Sequence, residues 1–181
     1  MPTEDVYWAI LANVEQEQQR LLAEARAVEA QVRLVHFEAR DRRDSSEWGS
    51  YLPYIRELAS GVGCYWAVLT FYGPLTKRKM RLKEFGRRQK YRYSPSQFPK
   101  ARGWEIDEII RAENVFEKIR RRTALLGTIV QMVKGTGSAE GVVFTKEPPR
   151  DLAASTTGVY QSVLEGWQSP GRLNAVLDNE S

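Results

Sequence analysis

The segment CYWAVLTFY, residues 64–72, decides the fold of this chain. It is rich in aromatic and β-branched residues and contains no charged residue, a composition typical of a strand in the middle of a sheet. Gly73 and Pro74 follow directly and end the strand. The sequence therefore predicts a sheet with this segment at its centre.

Two further strands are predicted, one before and one after the central strand. The segment KMRLKEF, residues 79–85, alternates apolar with basic residues, as a half-buried strand does. Tyr51–Leu58 precedes the central strand, with a turn at residues 60–63 between them. The alternative for this first segment is a short helix that begins at Pro53 and ends at Gly61. Because the connections are too short for crossovers, the three strands are expected to form an antiparallel meander.

A long helix is predicted over residues 4–43, beginning with Thr3 as its cap. Apolar side chains recur in it at helical spacing and form one stripe. The positions in this stripe are Tyr7, Leu11, Val14, Leu21, Ala25, Val28, Val32 and Val35. The stripe requires a partner, which is either the second helix of the same chain or another copy of the chain in a dimeric coiled coil.

A second long helix is predicted from Trp104 to Lys134. Its apolar residues recur at helical spacing, acidic residues occupy its first turn, and Gly135 follows as the residue that ends it. From there on Gly, Ser, Thr and Pro dominate, which predicts a flexible acidic tail over residues 136–181. Within the tail, residues 158–167 carry apolar side chains at helical spacing, so they form either a transient helix or a docking segment for a partner.

These elements predict an α+β protein with a single domain over residues 1–135, followed by the tail. Its order is a long N-terminal helix, a three-stranded antiparallel meander, a second long helix and a flexible C-terminal tail. No apolar run reaches the roughly 18 residues that a membrane span requires, and the acidic N-terminus is unlike a signal peptide. With Cys64 as the single cysteine, a reducing compartment is indicated. We expect a cytoplasmic protein with no membrane partner.

The residues offer little support for catalysis or metal binding. His36 is the only histidine and Cys64 the only cysteine, so a His-rich or thiolate metal site cannot be assembled. We expect His36 at the surface or at the edge of the core, and Cys64 as a small buried apolar residue. The alternative of a magnesium-dependent nuclease is raised by four carboxylates, Glu105, Asp107, Glu108 and Glu113. The helix dipole, however, already accounts for acids at a helix start. We predict no enzyme, no cofactor, and no catalytic or metal-binding residue.

The positive charge of the chain is concentrated in residues 77–102. The whole chain has a net charge of +4, whereas this segment contains 11 basic residues and one acid, Glu84. Charge concentrated in this way produces a local field that attracts anions. Within the segment, RRQKYRYSPSQF, residues 87–98, places Arg and Lys at near-alternate positions. If this stretch is extended, it presents several cations toward one phosphate backbone.

We therefore predict a non-enzymatic protein that binds DNA through its phosphate backbone. Tyr91 and Tyr93 are expected to anchor the basic stretch to the core rather than to stack on bases. The predicted nucleic-acid-binding residues are Lys77, Arg78, Lys79, Arg81, Lys83, Arg87, Arg88, Lys90, Arg92, Arg121 and Arg122. The alternatives are a helical adaptor that recruits an acidic protein partner and, third, the metal-dependent nuclease.

The order of these features carries a family resemblance. An aromatic strand is followed by a basic strand, by the stretch KYRYSPSQF and by a helix that opens at Trp104. The residues concerned are Tyr65, Trp66, Tyr91, Tyr93, Phe98, Trp104, Glu105, Glu113, Phe116, Ile119 and Arg120. Over residues 5–134 the chain resembles the MobI family of conjugative mobilisation proteins. The resemblance implies an auxiliary protein that acts with the transfer origin and a relaxase during conjugation, and it offers no catalytic residues.

Overall fold

The computed structural model describes residues 4–74, 77 and 79–145. In chain order it contains helix α1 (Glu4–Arg42), strands β1 (Tyr51–Leu58), β2 (Gly61–Tyr72) and β3 (Lys79–Phe85), and helix α2 (Gly103–Ala139). Short 3₁₀ turns lie at Ser45–Glu47 and Pro95–Gln97. The predicted α+β fold is confirmed, whereas the segment 158–167 lies outside the described residues.

The three strands form one antiparallel sheet in the order β1-β2-β3, as predicted. Because residue 53 lies within a strand, the alternative helix at Pro53 is wrong. Strand β2 begins at Gly61 and not at Cys64, since the turn before it comprises only Ala59 and Ser60. Gly61 has a φ of 121°, which glycine adopts without the steric penalty of a Cβ.

The apolar stripe of α1 packs into the core of its own chain. Leu21, Ala25 and Val32 are buried in one cluster with Trp66 of β2 and Phe116 of α2. For these residues of the stripe, the partner is therefore the same chain and not a second copy.

Helix α2 ends at Ala139, beyond the end predicted from Gly135. The residue that ends it is Gly141, which adopts a left-handed φ of 86°. Beyond it, the N–H of Val142 donates to the carbonyl oxygen of Gly137 at 2.8 Å. This is the hydrogen bond of a Schellman motif, which needs a glycine one residue past the cap. The sequence predicted Gly135 as this residue instead of Gly141, because both glycines lie in a similar polar context.

Phe98 lies at the centre of an aromatic cluster that holds the chain after β3 against the sheet. Its ring centroid is 5.0 Å from that of Tyr51, 5.4 Å from Trp66, 5.5 Å from Phe85 and 6.1 Å from Tyr93. The pairs with Tyr51, Trp66 and Phe85 are edge-to-face, and such pairs contribute about 0.5–1.5 kcal/mol each beyond the area they bury.

A buried ion pair connects α2 to the sheet and to the chain after β3. Glu113 and Arg120 are 1% and 5% exposed, and the guanidinium donates to both carboxylate oxygens, at 2.8 and 3.0 Å. The carboxylate also accepts the indole N–H of Trp66 (2.7 Å) and the backbone N–H of Tyr93 (2.9 Å). The charge of Glu113 is thus balanced by four donors from three parts of the chain.

Two further N–H groups of Arg120 donate to backbone carbonyl oxygens. Its Nε donates to Cys64 at 3.0 Å and its Nη1 to Tyr91 at 2.8 Å. Cys64 is fully buried, as predicted, and burial raises the pKa of its thiol to about 12. This cysteine therefore stays protonated and acts as a core residue.

Glu105 fastens the start of α2 to the start of β1. Its buried carboxylate accepts the N–H groups of Ser50 (2.7 Å) and Tyr51 (2.6 Å) through Oε1, and that of Arg102 (3.2 Å) through Oε2. Burial raises the pKa of this carboxyl, and the three backbone donors oppose the rise.

His36 is buried, so the predicted surface or boundary position is wrong. It is 5% exposed, its ring packs edge-on against Trp104 at 5.2 Å, and its Nε2 has no hydrogen-bond partner among the described residues. Glu105 Oε1 lies 3.5 Å from that nitrogen. Burial, followed by the positive charges of Arg40 and Arg33, lowers the pKa of His36 from 6.5 to about 4. The ring is therefore neutral at pH 7.

The chain divides into two compact units. One is Val14–Gln131, which contains the sheet. The other combines Met1–Asn13 with Met132–Ser181, and within it the Tyr7 hydroxyl donates to Glu140 at 2.7 Å. The domain boundary after residue 135 stays a prediction. Within the described ranges, neither long helix carries an apolar stretch that could cross a membrane.

We expect Glu113→Gln to lower the free energy of unfolding by about 3–5 kcal/mol, because it leaves Arg120 as a buried charge without its counterion. Urea denaturation followed by circular dichroism measures this loss. Glu117→Gln is the matched control, since it makes the same change at a more exposed ion pair on the same helix. It is expected to cost about 1 kcal/mol or less. Equal losses in the two variants would contradict a special role for the buried pair.

We expect the imidazole of His36 to titrate near pH 4, as its lowered pKa requires. Because it is the only histidine, NMR of its ring C–H groups measures this directly. The folded chain then binds fewer protons at His36 than the unfolded chain between pH 6.5 and 4, so this group makes stability fall as pH falls through that window. The raised pKa of Glu105 has the opposite effect on stability. Because the folded chain binds this proton more tightly than the unfolded chain does, this group makes stability rise as pH falls. A midpoint at or above 6.5 would show instead that the Glu105 carboxylate stabilises the imidazolium.

Candidate nucleic-acid interface

Strand β3 carries three exposed cations at alternate positions, Lys79, Arg81 and Lys83. We term them the basic row. Alternation along the strand places them on the same face as Phe85, which pairs with Trp66 of β2. Neighbouring members of the row are about 7 Å apart along the strand. The row therefore lies on the face of the sheet that carries the core residues. It runs along β3 beyond the part of that face that the core covers.

The other face of β3 is apolar, as the alternation predicted, but it is not buried. Met80 and Leu82 are 55% and 37% exposed. The core cluster reaches β3 only at Phe85, so the remainder of the strand has solvent on both faces.

The chain after β3, residues 86–92, is bent, so the extended form considered for residues 87–98 is not the one found. Bends at residues 88–91 interrupt the alternation of side chains. Arg87, Arg88 and Lys90 are nevertheless all exposed. We term these three residues the basic loop.

Tyr93 anchors the basic loop to the core, as predicted. It is 1% exposed, its backbone N–H donates to Glu113, and its hydroxyl donates to the carbonyl oxygen of Phe85 at 3.0 Å. Burial raises the pKa of this hydroxyl. Tyr91 is half-buried, and its ring lies 5.0 Å from the guanidinium of Arg121. It therefore contacts a cation of α2 rather than the core.

Arg92 and Arg121 share one carboxylate, that of Glu117. Arg121 lies 2.7 Å from it and Arg92 3.1 Å, and Arg92 also donates to Asn114 at 3.2 Å. The hydrogen bond from Arg121, with a further contribution from Arg92, holds the pKa of Glu117 below its usual range. These two predicted site residues are thus partly neutralised within the chain.

The remaining predicted residues are Lys77, Arg78 and Arg122. Arg122 is exposed, about 100° around α2 from Arg121, and its guanidinium is 4.0 Å from Glu17. Lys77 is exposed. Arg78 lies outside the described residues.

The basic row and the basic loop carry positive charge that the described chain does not neutralise. None of their six cations has a carboxylate within 4.0 Å in the ranges that the structure covers. The neighbouring acids are already engaged, since Glu84 pairs with Arg56 at 2.7 Å and Glu117 with Arg92 and Arg121. An uncompensated cluster of this kind raises the local concentration of anions.

Two of the four carboxylates considered for a magnesium site have structural roles. Glu105 and Glu113 are buried and accept hydrogen bonds from the chain itself. In the part of the chain that the structure describes, no three His, Cys, Asp or Glu side chains are grouped so that they could hold a metal ion.

Sequence reasoning missed the buried pair that positions the basic loop. A signal was available, because Glu113, Phe116 and Arg120 are spaced three and four residues apart and so share one face of α2. Charged residues on a buried face point to an internal ion pair.

The similarity of this chain to known proteins lies at the level of a family. No curated protein and no solved structure matches it. The family model described as MobI protein matches residues 21–134, more than half of the chain. The matched range contains all three strands, the basic row and the basic loop. The chain therefore belongs to the MobI protein family and is a mobilisation-related protein.

Proposed function

We propose that this chain is a DNA-binding accessory protein, without enzymatic activity of its own, that acts in the cytoplasm at a transfer origin together with a relaxase. The observation that carries the proposal is the uncompensated charge of the basic row and the basic loop. Family membership supports a role in mobilisation, and the charge supports DNA as the ligand.

Phosphate contacts are the chemistry that these side chains suit best. Lys and Arg neutralise phosphates and release condensed counterions, which is a large and sequence-independent part of the affinity for DNA. The backbone of the basic loop is held by Tyr93 and Phe98. Binding therefore needs to order side chains only, which limits its entropic cost.

The proposed contacts differ in what they require. The six cations of the basic row and basic loop can bind phosphate directly. Arg92 and Arg121 contact phosphate only by sharing or releasing Glu117. Lys77, Arg78 and Arg122 remain proposed phosphate contacts on the strength of the sequence pattern alone.

We expect fluorescence anisotropy to show binding of labelled duplex or single-stranded DNA that weakens steeply as salt rises. Replacing the three cations of the basic row with Ala, or those of the basic loop, should weaken binding about tenfold or more near 0.1 M salt. The slope of log affinity against log salt should fall by about 0.9 for each duplex phosphate that the variant no longer neutralises. Arg92 is retained in both variants because its ion pair is part of the fold.

The matched control replaces three exposed cations elsewhere, Arg42, Arg111 and Lys134, and so removes the same net charge. It should retain most of the affinity. If the control weakens binding as much as the other two variants do, binding is unspecific attraction to a basic protein. If neither probe binds at about 50 mM salt, the DNA proposal fails and the acidic-protein alternative gains support.

A further inference from the structure

Helix α1 carries a second apolar stripe, opposite the one that enters the core. Its members are Ala23, Ala27, Ala30, Leu34 and Phe37, all of them exposed. Each of the five follows a residue of the first apolar stripe of α1 by two positions, which corresponds to about 200° around the helix axis. Leu34 is 51% exposed and Phe37 61%. The stripe lies wholly within the unit Val14–Gln131.

The spacing of this stripe is that of a coiled-coil seam. Its successive intervals are four, three, four and three residues, which assigns the members to positions d, a, d, a and d of a heptad. The two flanks of the seam then carry different charges. The g positions are Arg26, Arg33 and Arg40, and the e positions are Glu24, Gln31 and Glu38.

These flanks are complementary to a second copy of the chain in parallel orientation. In a parallel pair each g residue meets the e residue five positions further along the other helix, so Arg33 meets Glu38 of the second copy and Arg26 meets Gln31. The position five beyond Arg40 lies past the end of α1, so the contact from Arg33 to Glu38 is the one charged contact on each side of the seam. The two-fold axis repeats the contact. In an antiparallel pair g residues meet g residues, which brings arginine against arginine. The charges therefore select both the occupant of the seam and its direction.

The side chains that this pairing uses are available. Glu38 is exposed and forms no ion pair with any residue that the structure describes. Arg33 donates to Glu29 through Nε and Nη2, which leaves Nη1 for another carboxylate.

We propose that two copies of this chain pair in parallel through the exposed seam of α1. Leu34 and Phe37 supply most of the apolar area, while the three alanines allow the helices to approach to the short end of the usual 8–10 Å range. The seam spans only about two heptads, too few for isolated peptides. Here α1 is already held by its own core, so pairing does not have to stabilise the helix. The association is expected to be reversible and dependent on concentration.

Sedimentation velocity on the full-length chain over a range of concentrations tests the proposal. The native chain should shift from monomer to dimer as concentration rises. Arg33→Glu and Glu38→Arg each replace two attractive contacts per dimer with two repulsive ones, which should raise the dissociation constant about tenfold. Glu15→Arg, at an exposed position away from the seam, is the control and should leave it unchanged.

An equal mixture of the Arg33→Glu and Glu38→Arg chains gives the sharpest result. In a mixed parallel pair, the substituted position 33 of one chain faces the substituted position 38 of the other with opposite charge, and the native pair remains on the other side. The mixture should therefore dimerise as the native chain does. Thermal melts of each variant verify that it is folded.

A native chain that stays monomeric throughout, or single variants that dimerise like the native chain, would overturn the proposal. So would a mixture that pairs no better than its components. These outcomes leave DNA binding untouched, because neither substitution lies in the basic row or the basic loop.

Discussion

The rest of the structure depends on the buried pair between Glu113 and Arg120. An ion pair in the interior is tolerated when its donors and acceptors are satisfied, and here the carboxylate accepts four N–H groups. The guanidinium also donates to carbonyl oxygens of β2 and of the chain after β3. Because one pair joins α2, the sheet and the basic loop, the loop is held from the inside. In the described chain its outward-facing cations have no carboxylate partner.

Much of the architecture could be predicted from the sequence. Residue type indicates which positions are buried, and the spacing of apolar residues indicates whether they belong to a helix or a strand. The bounds of β1 and β3 and the start of α1 follow from such patterns. Residue type alone does not place four buried polar residues, His36, Glu105, Glu113 and Arg120. Single-residue preferences put polar and charged side chains at the surface. Only the tertiary structure supplies the partners that make their burial tolerable.

The sequence showed which segment carries the excess positive charge, but not how its side chains are arranged or which of them are paired with acids. Counting residues located the excess of Arg and Lys in residues 77–102. Which cations are free depends on acids that are distant in sequence, such as Glu117, which lies opposite Arg92 across 25 positions. The path of the basic loop likewise depends on distant partners, since the backbone groups of Tyr91 and Tyr93 are bound by Arg120 and Glu113 of α2.

The two proposals are coupled through thermodynamic linkage. A parallel pair presents the basic row and the basic loop twice, so a polyanion long enough to reach both copies binds the second at a high effective concentration. Any ligand that binds the dimer more tightly than the monomer also shifts the monomer–dimer equilibrium toward the dimer. A seam too weak to hold the free chains together at low concentration can therefore still be occupied on DNA. A short exposed seam on α1 then suits a protein whose two copies pair where they bind DNA.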